Sequence, residues 1–293
     1  MAFREIFIET PCRCSYQSGC MIIRTETNTC SIHLSEFDAV CLETQTAYLS
    51  AYLLSELAKN KISLIIPDER HNPVGQFLPL FGAYNIFQRS NEQLQWSEPS
   101  KKRVWQQIIM HKINNQADVL LDCGHTNPAN QLYELARSVK SGDTTNREAV
   151  AANIYFRALF GSHFSRDDGS PINGMLNYGY AILLSILNRE LAAKGLLLQC
   201  GIYHRGPANP FNLSCDFMEP FRPVIDRIIV EGEFSELTRE VKYNLVDMPN
   251  LEFEYKNGIY KLRSIIHMYI SECINALNKT IPVSDISSFN AVS

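Results

Sequence analysis

The stretch from Thr46 to Pro67, TAYLSAYLLSELAKNKISLIIP, changes its period partway along. Ala47, Leu54, Leu57 and Ala58 recur at helical spacing, with Lys59 and Lys61 near the end, where a helix dipole favours cations. Ile62–Ile66 is then a short apolar run halted by Pro67, the pattern of a buried strand. Upstream, Phe3–Glu9, Cys20–Arg24, Cys30–Leu34 and Ala39–Glu43 read as further strands, with polar clusters Ser15–Gly19 and Glu26–Thr29 as turns. Residues 1–74 are therefore expected to form a small β-rich domain that carries one helix.

Downstream, Asp68 to about Pro99 is rich in Asn, Gln, Gly and Pro, as a connection would be. Its apolar Phe77, Leu78, Leu80 and Phe81 make 75–99 an ordered linker. Beyond it strand signals nearly vanish. Val104–Ile113, Asn130–Lys140, Arg147–Phe160, Gly174–Ala193, Pro220–Glu231, Glu236–Tyr243 and Ile259–Leu277 all read as helices. Gly161 and Gly195 stand where helix ends favour glycine, and the polar tail after Lys279 is expected to fray. The expected fold class is α+β with two domains, a β-rich 1–74 followed by a larger all-α 75–293.

Composition narrows the function classes. The chain has 293 residues, and 27 Lys and Arg against 31 Asp and Glu give a net charge of −4. A purely electrostatic nucleic-acid binder would be basic, so any DNA reading needs a local source of positive charge. The apolar run Tyr178–Leu187 is far short of the ~20 residues a membrane helix requires. The opening MAFREIFIET has no signal-peptide core, so a soluble cytoplasmic protein is expected. Nine scattered cysteines make a poor disulfide framework and read as reduced thiols. Cys12, Cys14 and Cys20 lack a second pair at zinc-finger spacing and read as buried or inert thiols, and a Cys–His nucleophile at Cys123-Gly124-His125 would need a third orienting group that spacing alone does not reveal.

Three segments place polar groups in or beside apolar helices. In NREAVAANIYF (146–156), Glu148 shares a helix side with Ala152 and Tyr155. It reads either as a functional carboxylate or as a first-turn acid on the helix dipole behind an Asn146 cap. His204, in GIYHRGP (201–207), stands at the mouth of a loop rich in Gly, Pro and Asn, as a ligand or simply as a hydrogen-bonded side chain. In NLSCDFMEPFRP (212–223), Ser214 reads as an N-cap, and Asp216 and Glu219 share a helix face. Two such carboxylates repel unless a cation intervenes, and either Arg222 or a metal ion would serve. Two or three carboxylates with one imidazole form an oxygen-dominated set suited to Mg²⁺ or Mn²⁺. Such an ion can stabilise the attacking and leaving oxygens of an in-line phosphoryl displacement.

Four blocks taken together resemble a known family: HNPVGQFLPLFGAYN (71–85), NREAVAANIYFRALFG (146–161), SRDDGSPINGMLNYGYAILLS (165–185) and NLSCDFMEPFRP (212–223). Their order is that of the CRISPR-associated spacer-acquisition integrases, the first protein of the adaptation pair (Cas-one), in the type II branch. The resemblance implies an N-terminal dimerisation domain and a helical catalytic domain. It implies that Glu148, His204 and Glu219 are the catalytic and metal-binding residues, with Asp216 an auxiliary ligand and Mg²⁺ or Mn²⁺ the cofactor. It also implies a homodimer, pairing with the second adaptation protein (Cas-two), double-stranded DNA as substrate, and association with the type II effector nuclease and an accessory protein. Lys101-Lys102-Arg103, Arg137, Lys140 and Arg205 are candidate phosphate contacts.

The function expected on this basis is a metal-dependent DNA endonuclease and integrase of antiviral defence. It would join the 3′-hydroxyl ends of new spacers to a CRISPR repeat by transesterification. A catalytically idle DNA-bridging scaffold and a general nuclease for branched DNA remain the alternatives. Removing Glu219 is expected to stop strand joining and leave the fold intact, because one of two repelling carboxylates would be deleted.

Overall fold

The computed structural model describes residues 4–69, 73–78 and 85–292. They divide into two compact units, one running to residue 86 and including 192–195, the other formed by 87–191 and 196–293.

The first unit is built from β1 (Arg4–Ile8), β2 (Cys12–Gln17), β3 (Cys20–Arg24), β4 (Thr29–His33), β5 (Phe37–Leu42), β6 (Ala47–Leu49), α1 (Ala51–Lys59), β7 (Ser63–Pro67) and β8 (Pro73–Phe77). Two four-stranded sheets result, in the orders β1-β5-β7-β8 and β4-β3-β2-β6. β1, β5 and β7 run parallel, with Ile6 beside Val40 and Val40 beside Leu64. Parallel neighbours need a crossover, and β6 with α1 supplies it between β5 and β7. Ser50 caps α1 by accepting from the Leu53 N–H at 3.2 Å, and Leu53 and Leu57, one turn apart, are fully buried. They pack into one core with Ile8, Met21, Phe37, Val40 and Leu64.

Two expectations for this unit change, and that of buried, inert thiols holds for Cys12 and Cys14. β2 occupies most of the segment expected to be a turn, so the reversal into β3 is confined to Ser18 and Gly19, both with positive φ. Cys12 and Cys14 alternate inward from β2 and belong to the apolar core, with their sulfurs 3.6 Å apart. Burial pushes the Cys14 thiol up to about 12, which keeps it protonated and a poor metal ligand. Finally, β8 crosses the boundary expected at 74/75. Its residues Gly75 and Gln76 pair with Ile66 and Ile65 of β7, so the start of the expected linker is an edge strand of the first unit's sheet. Leu80 and Phe81 of that linker lie outside the described residues.

The second unit contains α2 (Ile86–Leu94), α3 (Glu98–Asp122), α4 (Thr126–Arg137), α5 (Arg147–Phe160), α6 (Pro171–Ala193), α7 (Asn212–Met218), α8 (Arg222–Glu231), α9 (Arg239–Asp247), a hairpin of β9 (Glu252–Tyr255) and β10 (Gly258–Lys261), and α10 (Leu262–Leu277). α3 is its axis. Ser97 caps it, Pro99 sits in its first turn, and Val104, Trp105, Ile108, Ile109, Ile113 and Leu120 are all fully buried. Gly161 and Gly195 follow α5 and α6 with positive φ, as the sequence suggests.

The expected order of a β-rich unit followed by a helical one holds, with one local exception, the β9–β10 hairpin, which takes the start of the helix expected from Ile259. EFEY alternates strictly, with Phe253 and Tyr255 buried and the glutamates exposed, while Ile259 is 68% exposed. Two-residue alternation with one wet face is strand geometry, and the apolar Ile259 hides it from a helical reading. No helix among the described residues is long and apolar enough to cross a membrane.

Candidate active site

Glu148 enters from the first turn of α5. The expected Asn146 cap is absent: Asn146 adopts a left-handed conformation (φ 51°) and makes no capping bond. Asp143 does the capping, accepting from the N–H groups of Arg147 (2.8 Å) and Glu148 (3.0 Å) through its two carboxylate oxygens. Because the backbone donors are satisfied by Asp143, the Glu148 side chain is released for other work.

Its partner is Lys112, from the middle of α3. The Lys112 Nζ lies 2.6 Å from Glu148 Oε1 and 2.5 Å from Glu219 Oε2. Glu219 opens a single 3₁₀ turn, Glu219–Phe221, between α7 and α8. Asn115, one turn beyond Lys112, donates to the Pro220 carbonyl at 2.8 Å and pins that turn against α3. Arg222 Nε donates to Glu219 Oε1 at 2.9 Å. The Arg222 guanidinium lies 4.6 Å from the centre of the Tyr180 ring, and the Tyr180 hydroxyl donates to buried Asp226 at 2.5 Å. Two carboxylates and two cations thus form one closed cluster.

Burial by itself would raise the Glu219 carboxyl, but the Arg222 and Lys112 charges outweigh it and hold the group well below the usual range. Burial pulls the Lys112 ammonium the other way, and the Glu219 and Glu148 charges more than compensate, so it stays protonated.

Asp216 has a different environment. Ser214, expected to cap α7, lies inside it, and the helix starts at Asn212. That register buries Asp216 completely beneath the loop 201–206. Its Oδ2 accepts from the backbone N–H groups of Ile202 (2.6 Å) and Tyr203 (3.1 Å), and its Oδ1 from the His204 N–H (3.0 Å). Oδ1 also meets His204 Nδ1 at 2.7 Å. Gly201 makes this wrapping possible, since a Cβ there would stand 2.4 Å from the His204 carbonyl oxygen and 2.8 Å from Asp216 Oδ2.

The loop is anchored at both ends. Buried Gln93 of α2 donates to the Leu197 and Cys200 carbonyls and accepts from the Leu197 N–H. Asn212 holds Gly206 through both its N–H and its carbonyl. Tyr203 stacks on buried Trp105, with ring centres 4.2 Å apart and planes within 6°.

The Asp216 carboxylate therefore fixes the His204 ring, and the neutral imidazole carries its lone pair on Nε2. The Asp216 bond raises the His204 pKa against the opposing effect of burial, and Glu219 and Glu148 add smaller pulls in the same direction. Every bond made by Asp216 goes to the 202–204 segment. Both of its carboxylate oxygens are engaged by those bonds.

The structure thus brings Glu148 and Glu219 onto one cationic point, within electrostatic reach of His204. Among the described residues, no group of three or more His, Cys, Asp or Glu side chains is arranged to hold a metal ion. The donor chemistry does fit a hard divalent ion, because two carboxylate oxygens already converge on a single positive charge. The sequence reading missed Lys112, Asp143, Asn115 and Gln93. Lys112 was within reach, since it continues the buried row Val104, Ile108 at four-residue steps, where a lysine needs a counter-charge. Of the candidate phosphate contacts, Lys101 and Arg205 both pair with Glu98, and Arg137 pairs with Glu134. Cys123-Gly124-His125 forms the corner between α3 and α4.

Comparison with known proteins follows this geometry. An endonuclease Cas1 from Neisseria meningitidis is 38% identical over 276 residues, covering 92% of this chain and 91% of its own. A Cas1 endonuclease from Pyrobaculum aerophilum is 23% identical over 79% of this chain and 85% of its own. Among solved structures, a casposase bound to integration product superposes with a TM-score of 0.78 at 17% identity, covering 96% of this chain and 92% of its own. A Cas1 protein from Thermotoga maritima gives 0.73 at 15% identity, with 94% and 97% covered. The family model described as CRISPR associated protein Cas1 matches residues 6–232, a span that includes Glu148, His204, Asp216 and Glu219, and the chain belongs to that family.

Proposed function

We propose that this protein is a metal-dependent DNA endonuclease and integrase of CRISPR adaptation, in the type II branch. It joins 3′-hydroxyl ends of short duplex DNA to a CRISPR repeat. The observation that carries this reading is the convergence of Glu148 and Glu219 on one buried cationic point beside a histidine oriented by Asp216. The N. meningitidis relative is named an endonuclease, and a casposase of the same fold was solved with integration product.

Glu148, Glu219 and His204 Nε2 would hold Mg²⁺ or Mn²⁺, which when bound supplies positive charge to the reacting phosphate. Arg222 keeps Glu219 ionised and aimed. Asp216 keeps the His204 ring turned with Nε2 outward. In strand joining, the 3′-hydroxyl loses its proton as its oxygen bonds to a repeat phosphorus, the original phosphorus–oxygen bond to the repeat strand breaks, and the leaving oxygen takes up a proton.

Duplex DNA as substrate, a homodimer and a Cas2 partner belong to the same reading. A chain of a Cas6-RT-Cas1–Cas2 complex shares the fold, with a TM-score of 0.75 at 19% identity over 99% of this chain and 36% of its own. The second sheet of the first unit offers its edge strand β4, largely exposed, for pairing with a second copy. Association with the effector nuclease and an accessory protein, and a cytoplasmic location, complete the proposal.

One observation favours a second reading. The ion-paired cluster is already electrically balanced, as an idle DNA-bridging scaffold would have it. Incubating the chain and its Cas2 partner with 3′-hydroxyl duplexes, repeat DNA and Mn²⁺ separates the two. Joined product that vanishes in excess chelator and in Glu219→Gln supports the integrase. DNA bridging without joining supports the scaffold, and joining of any branched DNA without repeat preference supports a general nuclease.

A further inference from the structure

The position of Lys112 goes one step beyond the metal site, although the inference rests on the metal reading above. Its ammonium is 2.6 Å from one carboxylate oxygen and 2.5 Å from the other, and its side chain is only 9% exposed. A magnesium ion would sit about 2.0–2.1 Å from each of those oxygens. The two cations would therefore occupy the same space.

Charge makes sharing equally unfavourable. Glu148 and Glu219 are balanced by Lys112 and Arg222, so a divalent ion added beside all four leaves an excess of two positive charges in a buried setting. Arg222 cannot yield easily, because it is stacked on Tyr180 and bonded to the far oxygen of Glu219. Lys112 is a point charge on a flexible four-carbon stem and can move.

We propose that the Lys112 ammonium is the resident counter-cation of the Glu148–Glu219 pair, and that a divalent ion enters only by displacing it. The device keeps two close carboxylates from repelling one another while no metal is bound. Lys112 acts here through the carboxylates, as a positioning residue.

The test is direct binding of Mn²⁺ to the full chain, followed by electron paramagnetic resonance, for wild type, Lys112→Met and Glu219→Gln. Removing the competing charge should tighten Mn²⁺ binding by about tenfold or more. Lys112→Met should also melt at a lower temperature than wild type without metal, and regain more of that loss when Mn²⁺ is added. A lysine that merely braces the fold predicts equal or weaker Mn²⁺ binding in Lys112→Met, and that result overturns the proposal while leaving the metal reading intact. If neither wild type nor Lys112→Met binds Mn²⁺, the metal reading fails and takes this inference with it.

Amine acetylation of the wild-type chain, read by mass spectrometry, covers the case in which Lys112→Met does not fold. Mn²⁺ should speed labelling of Lys112 by freeing its amine from the carboxylates. Unchanged or slower labelling, with Mn²⁺ bound, overturns the proposal.

Discussion

Asp216 and Glu219 are three residues apart, both buried and both acidic, yet their surroundings share almost nothing. Asp216 is enclosed by neutral backbone donors, with three N–H groups and one imidazole filling its two oxygens. Glu219 meets only full positive charges, Lys112 on one oxygen and Arg222 on the other. A carboxylate saturated by backbone shapes a loop, whereas one balanced in part by a lysine ammonium on a flexible stem can exchange that partner. The difference arises because the helical path ends between them: α7 stops at Met218, and the tighter turn that follows aims Glu219 at α3 instead of at the loop.

The largest expected effect falls on the Glu219 side. Glu219→Gln and Glu148→Gln should each lower strand joining by about three orders of magnitude or more, measured with matched DNA and Mn²⁺. Asp216→Asn should lose far less, and complete loss there with an intact fold would erase the proposed division of labour. The structure also revises the expectation that Glu219 can be deleted without harm to the fold. Glu219→Ala leaves Lys112 and Arg222 buried without their shared partner, which should cost about 3–5 kcal/mol in denaturant unfolding.

On the other side the effect is on folding first. Asp216→Ala strands three loop N–H groups and should cost about 3–5 kcal/mol, with the 201–206 loop exchanging its amide hydrogens much faster. Unchanged protection would mean that the loop holds itself. Gly201→Ala is a smaller version of the same experiment. The added methyl meets the His204 carbonyl and the Asp216 carboxylate, and a loss of about 1–3 kcal/mol is expected, with weaker strand joining.

The smallest effect is a titration. Asp216 raises the pKa of His204, so its imidazole should titrate in NMR above the ordinary value of about 6.5. A raised folded value means the His204–Asp216 pair adds stability in full below about pH 6.5 and loses it as pH rises through the folded value. Asp216→Asn should bring the titration back down. No movement would show that the two side chains are not coupled in solution.

Much of this could be read before any fold was known, for identifiable reasons. Cys20–Arg24 and Arg147–Phe160 were bounded correctly because apolar period and local breakers agree there. β2 is missed because its second half, Ser15-Tyr16-Gln17, is polar, β6 because it is three residues long, and the β9–β10 hairpin because an exposed isoleucine imitates a helix face. Asn146 and Ser214 read as caps by residue type, but a cap depends on where the helix actually starts. At 147 the acceptor comes from Asp143 instead, and at 212 the helix begins two residues before Ser214.

What the sequence determined was the order of elements and the identity of the chemically unusual positions, Glu148, His204, Asp216 and Glu219. Those follow from local period and from polar groups set in apolar runs, which are properties of neighbouring residues. Which of them share a partner was decided only by the tertiary structure. Lys112 lies 36 residues before Glu148 and far from Glu219 in the chain, and spacing along a sequence carries no distance between helices. Only the packing of α5 and the 219–221 turn against α3 puts one ammonium between two carboxylates, because a buried charge persists only where the fold supplies an opposite charge or enough hydrogen bonds.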